Sequence, residues 1–130
     1  MDRTSARAAA MKLLYEWEMG GDGGEDTRVG MLEIKPEENE ADYMESLVAG
    51  VQKNASEIDA IIAKYAVGWK LERIMRVDLT ILRVAIYELK FAGLTPAVAV
   101  NEALELARAY STPEAVSFVN GVLGSLLRSE

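Results

Sequence analysis

The stretch Val77 to Gly93, VDLTILRVAIYELKFAG, decides the fold. Most of its residues are aliphatic, and its polar residues recur every three or four positions. On a helix they would form one narrow stripe, made of Arg76, Thr80, Arg83, Tyr87 and Lys90. A helix that is apolar over most of its circumference must be enclosed by other helices. We therefore predict the central helix of an all-α domain, with Leu82, Ile86 and Leu89 buried.

Two acidic residues, Asp78 and Glu88, interrupt this apolar surround. Asp78 falls in the expected first turn, where the unpaired backbone N–H groups and the helix dipole favour a carboxylate. Gly93 is expected to end the helix, because glycine readily adopts the left-handed conformation found at helix C-termini.

The N-terminal half shows the same helical spacing. Thr4 or Ser5 is expected to cap a first helix that ends at Gly20 and Gly21, and a glycine-rich acidic loop follows. A second helix is predicted from about Asn39 and a third after a cap at Ser56. A short connector then contains Trp69, whose indole is expected to pack against the domain.

The C-terminal half contains two helix-start signals. Thr95-Pro96 and Thr112-Pro113 each place a capping residue before a proline at the first helical position. Ser111 and Glu114 have the spacing of a capping box. No stretch alternates as a strand would, so we predict an all-α fold of six or seven helices in one domain over residues 1–130.

Composition excludes most kinds of chemistry. The chain has no cysteine and no histidine, which removes the usual nucleophile, general base and metal ligands. No nucleotide-binding or catalytic motif is present either. We therefore predict no enzymatic activity, no cofactor and no metal. No apolar run reaches the roughly 20 residues of a membrane span, and the absence of cysteine fits a cytoplasmic protein.

The net charge of −7 is unevenly distributed. Residues 1–20 carry three acidic and three basic residues, and residues 67–130 carry seven of each. Residues 21–66 carry eleven acidic and four basic residues, so the whole excess lies there. A polyanion could bind a surface made by the two neutral ends. An acidic, solvated face without a partner explains the charge equally well.

The last predicted helix contains an unusual pair, Asn120 and Gly121. Glycine inside a helix costs about 1 kcal/mol relative to alanine, and asparagine is also a weak helix former. One explanation is close packing of a neighbouring helix on Gly121, with Asn120 bonded to nearby backbone. The other is a binding role for this segment.

Four segments together resemble the NusB family of bacterial transcription antitermination factors, and the similarity extends over essentially the whole chain. They are SARAAAMKLLYEW, VDLTILRVAIYEL, AVNEALELAR and FVNGVL, in the family's order and spacing. The resemblance implies a helical fold of two roughly perpendicular three-helix bundles. It also implies binding of the boxA element of ribosomal RNA leader transcripts, together with the ribosomal protein NusE, in an antitermination complex that helps RNA polymerase read through terminators.

The resemblance also implies site residues. Family members often begin with an arginine-rich run that contacts RNA phosphates; here only Arg3 and Arg7 are kept, with Thr4 and Ser5 where further arginines commonly stand. Acidic family positions that face the ribosomal protein are matched by Glu72 and Asp78. The RNA contacts implied around and after the last interhelical turn are Ser111, Thr112, Glu114, Phe118 and Asn120.

Two alternatives stay open. The thin arginine content is also compatible with a helical protein-docking module that has lost RNA binding. NusB-like domains also occur at the N-terminus of ribosomal RNA cytosine methyltransferases, and a stand-alone relative of such a domain would have the same sequence pattern.

Overall fold

The computed structural model describes residues 3–20 and 38–129, and every regular element within these ranges is helical. The all-α prediction is confirmed, with six α-helices in the described part of the chain. The loop predicted between the first two helices lies outside the described residues. The helices are α1 (Arg3–Glu18), α2 (Glu38–Lys53), α3 (Ala55–Tyr65), α4 (Arg76–Lys90), α5 (Pro96–Tyr110) and α6 (Pro113–Arg128), with a 3₁₀ turn at Leu71–Arg73.

Two of the predicted helix starts are wrong by two or three residues. Helix α1 already begins at Arg3, so Thr4 and Ser5 lie inside it. Helix α3 begins at Ala55 with Asn54 as its N-cap residue, so Ser56 lies in its first turn. The Asn54 side chain donates to the Gly50 carbonyl at 2.8 Å, and therefore closes α2 instead of capping α3.

The two threonine–proline starts are confirmed. Thr95 and Thr112 are the N-cap residues of α5 and α6, and the Thr112 hydroxyl accepts a hydrogen bond from the Ala115 N–H at 3.1 Å. The capping box of Ser111 with Glu114 is wrong, because the Ser111 hydroxyl donates to Asp78 instead.

Helix α4 ends at Lys90, and Gly93 supplies the turn that follows. Gly93 has a φ of 70°, in the left-handed region that glycine adopts without steric cost. This turn brings the Leu94 N–H back to the Glu88 carbonyl at 2.9 Å, which satisfies one of the orphan carbonyls at the helix end.

Two hydrophobic cores meet at α4. The smaller core lies between α1, α2 and Val84 of α4, and the larger one lies among α3, α4, α5 and α6. Leu82 and Ile86 are fully buried as predicted, whereas Leu89 is only partly buried at the edge of the larger core. No helix in the described ranges is both long and apolar enough to cross a membrane.

Gly50 and Gly121 provide a matched test of this packing. A Cβ built on Gly50 would lie 2.2 Å from the Tyr87 ring, whereas one built on Gly121 meets nothing within 4 Å. We expect Gly50→Ala to lower the free energy of unfolding, since overpacking costs about 1–3 kcal/mol. Gly121→Ala should raise it by up to about 1 kcal/mol through helix propensity alone.

Urea denaturation monitored by circular dichroism measures both variants against the parent chain. A Gly50→Ala variant as stable as Gly121→Ala would contradict the close contact between α2 and Tyr87.

Candidate nucleic-acid interface

The connector between α3 and α4 presents an exposed tryptophan. Gly68, with a φ of 85°, turns the chain after α3, and the Trp69 N–H donates to the Ala66 carbonyl at 3.0 Å. The Trp69 side chain is nevertheless 54 % exposed. The expectation that this indole packs against the domain holds for one side of the ring only, because the short connector crosses the surface beside α6.

The exposed indole forms one wall of a cleft that we call the Trp69 cleft. Its ring lies edge-to-face against Phe118 of α6, with ring centroids 5.6 Å apart and an angle of 63° between the planes. The cleft has a volume of about 180 Å³. It is lined by Trp69, Arg73, Ile74, Met75, Asp78, Thr112, Glu114, Ala115 and Phe118.

The polar stripe of α4 holds the connector in place. The Arg76 guanidinium donates to the carbonyls of Leu71 and Ile74, at 3.0 and 2.8 Å. It also donates to Glu18 of α1 at 2.7 Å. These three bonds tie the 3₁₀ turn, and with it the cleft wall, to α1 and α4.

Arg83, two steps further along the stripe, extends this network. Its guanidinium donates two bonds of 2.8 Å to Asp59 of α3 and one of 2.7 Å to Glu18. Burial alone would raise the pKa of Glu18, but the hydrogen bonds from Arg83 and Arg76 outweigh it and hold that pKa below its usual value.

The cleft is charged asymmetrically. Lys70 and Arg73 are exposed on the Trp69 side, and neither forms an ion pair with any residue that the structure describes. Glu114 is exposed at the start of α6, on the opposite side. A ligand lying across the cleft would therefore meet cations along one edge and a carboxylate acceptor along the other.

The structure brings most of the predicted C-terminal site residues together. Thr112, Glu114 and Phe118 all line the Trp69 cleft. Ser111 lies next to it, while Asn120 is exposed further along α6. Sequence reasoning missed Trp69, Lys70 and Arg73; the only signal was a large aromatic residue beside cations in a connector of about ten residues.

Arg7 is not placed as predicted. It is 3 % exposed and pairs with buried Glu88, with Nε 2.8 Å from Oε1 and Nη2 3.0 Å from Oε2. Tyr43 of α2 accepts a hydrogen bond from Arg7 at 2.9 Å and donates its hydroxyl to Glu88. A phosphate contact would require breaking this buried pair, so the prediction of an RNA-contacting Arg7 is revised to a structural role.

Arg3 remains available to solvent. Its guanidinium lies 4.5 Å from the centroid of the Tyr43 ring, on the exposed side of the same cluster. Neither Arg3 nor Arg7 lines the Trp69 cleft, so the structure separates the two parts of the predicted RNA-binding set.

The two predicted partner-contacting acids differ in exposure. Glu72 is exposed in the 3₁₀ turn. Asp78 is only 5 % exposed, and its carboxylate accepts a hydrogen bond from Ser111 at 2.6 Å. The prediction of direct partner contact therefore fits the accessibility of Glu72 and not that of Asp78.

The packing explanation for Asn120 and Gly121 is wrong. Gly121 is exposed, and a Cβ built at this position would meet no atom of another element within 4 Å, so no neighbouring helix requires a glycine there. Asn120 is exposed, and its amide makes no hydrogen bond to another residue of the described chain. Both residues are therefore accessible to a ligand on the surface of α6.

No group of three potential metal ligands is clustered in residues 3–20 and 38–129.

Comparisons with known proteins agree with this architecture. The model of the NusB family matches residues 4–128. The chain is 46 % identical to the transcription antitermination protein NusB of Acetivibrio thermocellus, over 98 % of this chain and 90 % of that protein. Such relatives are antitermination proteins and not enzymes, which confirms the non-enzymatic prediction.

Solved structures of the same fold are also similar. NusB of T. maritima is 30 % identical, with a TM-score of 0.87, over 100 % of this chain and 93 % of that one. A structure of the antitermination factors NusB and NusE in complex with double-stranded RNA matches at 29 % identity with a TM-score of 0.86, covering 98 % and 97 %.

The buried pair of Arg7 and Glu88 generates a stability prediction. Glu88→Gln removes the buried carboxylate that holds Arg7 and leaves only the longer pair with Glu102, whose Oε1 lies 3.8 Å from Arg7 Nη1. Loss of one partner of a buried pair should lower the free energy of unfolding by about 3–5 kcal/mol. Glu105→Gln is the control, because it breaks an exposed pair with Arg108 on the surface of α5 and should cost at most about 1 kcal/mol. Equal losses in urea denaturation would show that the buried pair is no more important than the surface pair.

Tyr43 generates a prediction about alkaline pH. Burial, together with the hydrogen bond to Glu88, raises the pKa of Tyr43 to about 12 from an ordinary value of 10.0. The neutral phenol is thus favoured in the folded state, and its contribution is complete below pH 10 and lost as pH rises towards 12. The stability difference between the parent chain and Tyr43→Phe should therefore narrow over this range. Denaturation measured at several pH values tests this prediction. A stability difference between the two chains that stays constant from pH 10 to 12 would contradict the raised pKa.

Proposed function

The chain belongs to the NusB family of transcription antitermination proteins, and we propose that it binds boxA-type RNA of ribosomal RNA leader transcripts jointly with the ribosomal protein NusE. It acts without chemistry, as a single RNA-binding domain over residues 1–130. In the cytoplasm it joins an antitermination complex in which RNA polymerase reads through terminators.

The observation that carries this proposal is the Trp69 cleft. Single-stranded RNA is recognised by stacking unpaired bases on aromatic side chains, while cations hold the phosphates. The cleft offers the exposed face of Trp69 beside Phe118, with Lys70 and Arg73 at its edge. A base stacked on the indole would place its phosphates within reach of these two cations.

Base identity would be read on the α6 side. The carboxylate of Glu114 accepts hydrogen bonds, which suits the exocyclic amino groups of bases. The Asn120 amide both donates and accepts, and it has no competing bond within the described chain. The open surface over Gly121 would let the RNA backbone approach the helix closely at this point.

Phosphate contacts would be few. Lys70 and Arg73 are the exposed cations at the cleft, Arg3 is exposed on α1 outside the cleft, and Arg7 is committed to Glu88. Since each phosphate contact adds to affinity and to its salt dependence, RNA binding by this chain alone should be weak.

The protein partner would meet the surface that carries Glu72. NusE is a ribosomal protein, and such proteins are basic, so an exposed acid would steer association and fix orientation more than raise affinity. The similar structure that contains NusB and NusE with double-stranded RNA supports a joint complex of this kind.

Trp69→Ala should weaken boxA binding by about 1–3 kcal/mol, the contribution of one stacked base. Phe91→Ala is the matched control, because Phe91 is an exposed aromatic residue at the end of α4, outside the cleft.

Arg73→Ala should weaken binding for all sequences alike and reduce the salt slope by about 0.7. Asn120→Ala should instead narrow the difference between boxA and a scrambled strand.

Fluorescence anisotropy at two salt concentrations, with and without NusE, measures all four variants. The rival protein-docking module predicts weak RNA binding that is insensitive to these changes and no stronger for boxA than for the scrambled strand. That result, with NusE association intact, would replace the RNA-binding proposal.

A further inference from the structure

One hydrogen bond fastens the turn between α5 and α6 to the start of α4. The Ser111 hydroxyl donates to Asp78 Oδ1 at 2.6 Å, joining residues 33 positions apart in the sequence. Ser111 is the C-cap residue of α5, and its own N–H donates to the Ala107 carbonyl at 2.9 Å. Thr112, the next residue, caps α6.

This bond connects the two walls of the Trp69 cleft. The first turns of α6 carry Glu114 and Phe118, which form one wall, and Trp69 and Arg73 form the other, just before α4 begins. Asp78 lies between them in the first turn of α4. Because only Ser111 and Thr112 separate α5 from α6, the position of Ser111 determines where the α6 wall begins.

The chemistry of Asp78 suits this role. Its carboxylate is buried and forms no ion pair with a described residue. The α4 N-terminus and the Ser111 hydroxyl are therefore the groups that stabilise it. Hydrogen bonds to an ionised acceptor are short and about twice as strong as neutral ones. Burial at the same time leaves little of this charge to present to a second protein.

We infer that Asp78 is a positioning residue of the RNA site, which acts through Ser111 to hold the α6 wall of the Trp69 cleft, and that it does not contact the protein partner. This inference rests on the proposed RNA-binding function. It leaves Glu72 as the accessible acid of the partner surface.

Variants of the two bonded residues test the inference. Asp78→Asn keeps an oxygen that accepts from Ser111, although through a weaker neutral bond, so boxA affinity should fall by no more than about threefold. Asp78→Ala and Ser111→Ala each remove the bond and should weaken RNA binding about tenfold. The double variant should be no weaker than Asp78→Ala, because both changes break one interaction. Ser56→Ala, on the first turn of α3, is the control for loss of an exposed serine hydroxyl.

NusE association is measured on the same variants. If Asp78 contacted the partner, Asp78→Asn and Asp78→Ala would slow NusE association equally, and Ser111→Ala would leave the association rate unchanged. This pattern would overturn the inference. A lower melting temperature of Ser111→Ala with unchanged RNA affinity would also overturn the inference, since the bond would then contribute to stability only.

Hydrogen exchange of the Ala115 amide gives a readout without RNA or partner. This N–H donates to the Thr112 hydroxyl and carbonyl at 3.1 and 3.0 Å, so it reports whether the turn is held. Exchange should accelerate about tenfold in Asp78→Ala and Ser111→Ala but not in Asp78→Asn or Ser56→Ala. If the parent chain binds no RNA, the proposed function fails, and this exchange pattern alone decides whether Asp78 positions the turn.

Discussion

Because α4 is enclosed by the other helices, nearly every charged group it carries must find a partner inside the domain. Arg83 reaches Asp59 and Glu18, Glu88 pairs with Arg7, and Asp78 binds Ser111. These partners come from α1, α3 and the α5–α6 turn, so the charges of α4 help to determine how these three parts of the chain are placed around it. Buried pairs of this kind add little net stability compared with apolar residues of similar size. An arrangement of helices that displaces one partner is nevertheless strongly disfavoured, because it leaves a charge buried and unpaired. The charged groups of α4 therefore favour one arrangement of helices, and the position of the cleft follows from that arrangement.

The sequence predicted the helices well because their signals are local. Period-3.6 spacing and the two threonine–proline starts depend on neighbouring residues only, and both kinds of signal are confirmed in the structure. Contacts across the fold were not predictable in the same way. Glu88 interrupts the apolar surround of the predicted helix, but nothing local identified its partner Arg7, which lies 81 positions away. An arginine in a first helix has the same sequence signature whether it faces solvent or a buried carboxylate, so family resemblance assigned Arg7 to RNA.

The exposure of Trp69 was likewise not predictable from local sequence. An indole in a connector is expected to pack inward, since large aromatic residues dominate cores. Its exposure depends on the path of α6, which covers only one edge of the ring through Phe118. The glycines of α2 and α6 carry related information. Gly50 is explained by the Tyr87 ring, whereas no atom of the described chain explains Gly121. Gly121 has room for a side chain, so its glycine is better explained by a ligand that approaches α6 from outside the domain. Gly121 lies on the same helix as Phe118 and Asn120.

The charge distribution fits the proposed joint binding of RNA with a basic protein. The acidic excess lies in residues 21–66, while the cleft is built from residues 67–130, where acidic and basic residues balance. The cleft could therefore approach a polyanion, but it offers few cations, so counterion release would add little to the affinity of the proposed complex. Stacking and base-edge contacts would then make up a larger share of the binding free energy, and these favour sequence discrimination over strength. A basic partner held next to the cleft would supply the missing phosphate contacts. The exposed Glu72, on the same connector as Lys70 and Arg73, is placed to orient such a partner beside the RNA.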